Sequence, residues 1–221
     1  MSPTSESDEI REEASQTVGE EIANAVSHGV GLLAIIGATP TLIWLACKHH
    51  RPGWTVAGAA IFAATAALLY LASTLYHAMP RRWKGPLRLF DHMAIYVLIA
   101  GTYTPFALGP LRGPVGWTIF GVVWALAIAG VLFKLFARFR FHYVSTALYI
   151  GMGWLAVFMI RPLLTHVPMA GLAWLVGGGV AYTAGTAFYH REKMRYSHLI
   201  WHLFVLVGTA CHFVAVMGWA V

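Results

Sequence analysis

Two imidazoles stand four residues apart in Ser197-His198-Leu199-Ile200-Trp201-His202, where the last apolar stretch of the chain opens. On a helix, residues i and i+4 share a face. His198 and His202 can therefore reach one metal ion together, and such a pair is a recurrent zinc half-site. Ser73 and His77 repeat the four-residue spacing in an earlier apolar stretch, and Asp91 follows in the next. Imidazole suits zinc, whereas magnesium and calcium need several oxygens. Three imidazoles with a fourth position open describe a catalytic zinc site rather than a closed structural one. In such a site Asp91 takes a proton from the metal-activated water during attack on a carbonyl, with Ser73 hydrogen-bonding nearby. The zincin motif His-Glu-x-x-His is absent, because Leu199 and Ile200 follow His198. The base must then come from another helix, and Asp91 is the candidate.

Composition says what kind of element positions these groups. Of 221 residues, 58% are hydrophobic and 11% charged, with a mean hydropathy of +0.65. A soluble domain carries about 25% charged residues, so this is a membrane protein. A spanning helix needs about 20 mainly apolar residues. Seven stretches qualify, at about 25–46, 54–79, 89–108, 115–136, 141–160, 169–189 and 198–220. Backbone in hydrocarbon must satisfy itself, so spans joined by such short loops are helices, and the period-2 signal of a membrane barrel is missing. The expectation is an all-α, seven-helix transmembrane domain over 22–221, in the bacterial inner (plasma) membrane. An acidic cytoplasmic tail over 1–21 precedes it. That tail holds seven of the nine carboxylates and one Arg, unlike a secretory signal. An acid inside the membrane part, Asp91, is correspondingly informative.

Eleven Lys and Arg fall on one side of these spans and four, Lys48, Arg51, Arg112 and Arg161, on the other. The positive-inside rule puts the N-terminus in the cytoplasm and the C-terminus outside. Ser73, His77, Asp91, His198 and His202 then lie at one depth near the cytoplasmic face, drawn from three helices. Ionisable groups inside spans are costly and mark functional sites. The net charge of +6 sits in loops between spans and does not indicate nucleic acid. Cys47 and Cys211 lie in apolar stretches and suggest no disulfide or metal site.

Plainer roles compete. A single His near a helix end is usually interfacial, Asp91 can pair with Arg88 or His92, and a hydrogen-bonded cluster needs no metal. His28 can approach the site from span one, but packing is the commoner role. His142, His190 and His212 lack spacing partners and read as structural, and His49-His50 as a solvated loop. Thr102-Tyr103-Thr104-Pro105 kinks span three or lines a cavity. Gly177-Gly178-Gly179 and Gly151-x-Gly153 permit close helix contact. Trp44, Trp54, Trp83, Trp117 and Trp219 sit where an aromatic belt would.

Ser73-x-x-x-His77, Asp91 early in the next span and His198-x-x-x-His202 at the start of the seventh resemble the hemolysin III family. So do Glu21-Ile22-Ala23-Asn24 and Ser27-His28-Gly29. That family belongs with the progestin and adiponectin receptors in a larger group of membrane hydrolases including alkaline ceramidases. The resemblance covers roughly residues 20–221. It implies zinc on His77, His198 and His202, with Ser73 and Asp91 nearby through water. Three functions are compatible. One is a zinc-dependent hydrolase of a lipid amide or ester, a ceramide-like amide being suggested by the resemblance alone. Another is a non-catalytic membrane protein: a receptor, a pore-forming cytolysin or a regulator of membrane lipid state. The third is a structural zinc that staples spans two and seven. A membrane lipid is the expected substrate or ligand, and no protein partner is specified.

Overall fold

A computed structural model describes residues 16–48, 52–191 and 193–221, which form helices and turns with no strand among them. The acidic residues before Gln16, and the His49-His50 pair, lie outside the described residues. Seven rods run in chain order: α1 (Val18–Lys48), α2 (Pro52–Ala78), α3 (Arg81–Leu108), α4 (Pro114–Ala137), a composite fifth rod, α7 (Met169–Tyr189) and α8 (Ser197–Trp219). The fifth rod is α5 (His142–Gly153), a 3₁₀ turn (Trp154–Met159) and α6 (Ile160–His166). Five rods are long and apolar enough to cross a membrane; α3 and α7 fall short of that measure. α3 opens with four basic residues, and α7 is rich in Gly, Ala and Thr. Large apolar side chains such as Leu33, Ile128, Phe136 and Phe158 are exposed on the outside of the bundle, as lipid-facing residues are.

Three boundaries differ from the sequence expectation. α1 starts at Val18 rather than near 25, because Thr17 and Glu20 form a reciprocal cap. Glu20 N donates to Thr17 Oγ1 at 3.3 Å and Thr17 N donates to Glu20 Oε2 at 2.9 Å. Glu20 and Glu21, assigned to the tail, are thus on the first helix. α3 starts at Arg81 instead of 89, since Pro80 fills its N-cap and the basic stretch winds into its first turns. The fifth rod runs to His166, through the expected Arg161-Pro162 loop. Its interruption is bridged from α3: Tyr103 Oη donates to Gly153 O at 2.6 Å and receives Ala156 N at 3.0 Å. A side chain from a neighbour thus replaces backbone bonds lost at the break.

Sequential helices α1 to α4 pack side by side, α7 packs on α8, and α8 closes against α1. The fifth rod is attached lightly, and within it only Ser145, Thr146, Met152 and Leu163 are buried. Tyr96, Phe62, Leu42 and Val123 fill one core layer, and Tyr70, Leu69 and Leu98 another. Small residues set the closest approaches: a Cβ on Gly58 of α2 would stand 2.9 Å from the Pro105 Cα of α3. Gly178 makes the close α7–α8 contact expected of it, against His212. Gly151, Gly153 and Gly177 do not, for nothing lies within 4 Å of a Cβ built there.

Candidate metal centre

α2 ends, and α3 and α8 begin, at one end of the bundle, so residues far apart in the chain meet there. Ser73 and His77 come from the last turns of α2, Asp91 from the third turn of α3, and His198 and His202 from the first turns of α8. His77, His198 and His202 each offer a nitrogen, and these atoms lie within 4.8 Å of one another. Their ring centroids are 4.7–5.1 Å apart. His77 Nε2 and His198 Nε2 are buried without a hydrogen-bond partner. Buried polar atoms are rarely left so, and lone pairs turned toward a common centre fit a cation. The donor set, three imidazoles, is a zinc set.

The other ring nitrogens of His77 and His202 are held by α1. His77 Nδ1 lies 2.8 Å from Glu21 Oε2, which Lys84 Nζ also meets at 2.6 Å. A carboxylate can only accept here, so the His77 proton sits on Nδ1 and Nε2 keeps its lone pair. His202 Nδ1 lies 3.1 Å from Ser27 Oγ and 3.3 Å from Asn24 O. Ser27 donates its own proton to Asn24 O at 2.8 Å, so its oxygen accepts from His202 Nδ1. Both tautomers therefore suit coordination through Nε2, and carboxylate and carbonyl partners of this kind orient metal-binding imidazoles. His28 completes the α1 contribution: its ring stacks on His202, centroids 3.6 Å apart and planes 5° apart.

Asp91 and Ser73 are buried and face each other, although Ser73 Oγ makes no well-formed hydrogen bond. Both line a mainly apolar cavity of about 220 Å³, together with His28 and His202. The cavity continues between the helices past Leu98, Phe106 and Trp154 to Leu111 and Leu172. A second, polar cavity of about 80 Å³ lies against His198 and is lined also by Arg88, His92 and Asn24. Of the three imidazoles, His202 thus lines the apolar chamber and His198 the polar one.

Glu21, Asn24 and Ser27 were not identified from sequence as site residues. Their signal was Thr17-x-x-Glu20, a capping-box pattern that starts a helix early enough to carry Glu21, Asn24 and His28 on one face. His28, expected to pack, does reach the site. His142 and His190, which lack spacing partners in the sequence and read as structural, pair with one another: His142 Nε2 lies 3.1 Å from His190 Nδ1, with the rings stacked. His212, also expected to be structural, lines the same apolar chamber as His28, with its Nε2 3.2 Å from Leu175 O.

Known proteins are similar to this chain over nearly its whole length. A sequence model described as haemolysin-III related matches residues 16–213. The chain is 45% identical over 206 residues to the hemolysin-3 homolog of Bacillus subtilis, covering 93% of this chain and 96% of that one. It is 45% identical over 207 residues to hemolysin-3 of Bacillus cereus, covering 91% and 92% respectively. It is 27% identical over 214 residues to the human monocyte to macrophage differentiation factor, covering 90% and 84%. With five long apolar rods, this likeness makes the chain a multi-pass integral membrane protein of the bacterial plasma membrane.

Proposed function

Because the chain belongs to the haemolysin-III-related family, and because three imidazoles converge beside a buried acid at the end of an apolar chamber, we propose that it is a zinc-dependent hydrolase of lipid amides or esters. The convergence of His77, His198 and His202 carries this reading. These three residues would hold the ion. Zinc supplies a Lewis acid that acidifies water towards a pKa of about 7 and polarises a carbonyl oxygen. The apolar chamber takes the acyl chain and brings the amide or ester to the imidazoles, while the polar chamber beside His198 admits water. Asp91, at a carboxylate oxygen, accepts the proton of the attacking water and returns it to the leaving nitrogen or oxygen. The Ser73 hydroxyl donates a hydrogen bond to the reacting carbonyl or to Asp91. Glu21 and the Asn24–Ser27 pair keep the Nδ1 protons of His77 and His202 in place, so that neither ring turns away. The excess of Lys and Arg at this end of the helices favours a cytoplasmic site, with the N-terminus inside and the C-terminus outside.

The test is metal analysis of the detergent-purified protein followed by a screen of lipid amides and esters. The expected result is one zinc per chain, turnover that chelation abolishes, and His202→Ala without zinc. Asp91→Asn should keep its zinc and lose turnover by about 100-fold or more. Zinc without any turnover would leave the ion as a staple between α2 and α8. Dye release from liposomes by an Asp91→Asn protein would favour the activity named in the Bacillus cereus relative instead.

A further inference from the structure

His28 is 3% exposed, and neither of its ring nitrogens has a hydrogen-bond partner. A backbone group of His202 lies nearby but outside hydrogen-bonding geometry. Its ring is held by packing alone: flat on His202, and edge-on to Tyr70 with centroids 5.1 Å apart. It is not one of the three imidazoles whose nitrogens converge. It lines the apolar chamber with Ser73, Asp91 and His202. A residue that served only to fill this space would be phenylalanine or leucine, because two buried polar nitrogens without partners cost stability. Retained unsatisfied polarity at a cavity wall is the signature of a group that meets a ligand.

We propose that His28 is a recognition residue for the polar end of the amphiphile in the chamber, and that it selects lipids bearing a hydroxyl next to the amide or ester. This rests on the hydrolase reading, which puts the carbonyl at the three imidazoles and Asp91. The group beside that carbonyl then faces His28. A neutral imidazole has one N–H and one lone pair, and a hydroxyl both donates and accepts. A hydroxyl therefore satisfies whichever nitrogen faces the ligand, in either tautomer. A plain alkyl group in that position would bury the nitrogen against hydrocarbon, and sites built to hydrogen-bond a hydroxyl reject analogues without one.

The experiment compares two probes on zinc-loaded protein in detergent: an N-acylethanolamine, and the N-ethyl amide of the same fatty acid. Affinity is read by ligand-induced thermal shift and by displacement of a fluorescent fatty amide. Wild type should bind the hydroxyl-bearing probe about tenfold more tightly, the size of one buried hydrogen bond made or lost. His28→Phe keeps the ring stack and should bind both probes alike, with zinc content unchanged and a melting temperature no lower than wild type. The wild-type protein gives a second readout that needs no variant. The ring ¹⁵N resonances of His28 should move with the ethanolamide and stay in place with the ethyl amide. Equal discrimination by wild type and His28→Phe, or resonances that move alike for both probes, overturns the role of His28 and leaves the hydrolase reading standing. Failure of both probes to bind zinc-loaded wild type overturns both.

Discussion

Glu21 meets the Lys84 ammonium and the His77 ring through one carboxylate oxygen, and that oxygen holds the His77 proton where coordination needs it. Glu21→Ala should weaken zinc binding about 10–100-fold, as loss of such an orienting partner does, in a chelator-competition titration. Asp91→Asn in the same titration should match wild type, because Asp91 lies outside the trio of converging nitrogens. Acid should strip the metal, since a protonated imidazole cannot coordinate. Zinc content after dialysis should be full at neutral pH and fall as the buffer is made more acidic. A content that stays flat into acid would mean that the imidazoles are not the ligands. At this scale the sequence reveals His77, His198 and His202 because i,i+4 spacing and shared membrane depth are both readable in one dimension. It conceals Glu21 because acids in a polar run look solvated. Only the cap made by Thr17 and Glu20 turns that run into the first turn of a helix facing α2.

Helices position these groups through contacts that tolerate little added bulk. Gly58 lets α2 approach the backbone of α3 at Pro105, and those two helices carry His77 and Asp91. Gly58→Ala should cost about 1–3 kcal/mol by forcing the pair apart, measured as a lower melting temperature in detergent. The fifth rod is held differently. Tyr103 supplies the hydrogen bonds its interrupted backbone lacks, and Trp154 Nε1 donates to Thr183 Oγ1 at 2.9 Å. Tyr103→Phe leaves Gly153 O and Ala156 N without that partner, at a cost of about 1–3 kcal/mol, and should speed amide exchange across residues 153–159 specifically. Uniform exchange in wild type and variant would show that the turn is held by something else. The seven rods are legible as apolar runs. The continuation of the fifth is not, because Arg161-Pro162 reads as a stop and the compensating hydroxyl comes from a residue some 50 positions away.

Across the whole molecule, fixed charge and hydrophobic surface act together. Exposed Leu, Ile, Val and Phe around the bundle need lipid, and the basic residues cluster at the end that holds the imidazoles. The outcome expected from that asymmetry is an N-terminal tag shielded in intact cells and a C-terminal tag open to a membrane-impermeant label. The opposite labelling pattern would put the imidazoles at the outer face. The contact between α1 and α8 has a consequence for biogenesis. The groups that orient the rings arrive in the bilayer with the first span, and two of the three rings arrive with the last. A chain stopped before Ser197 should therefore integrate without capturing zinc, and occupancy would certify that every span has been threaded and the circle of helices closed.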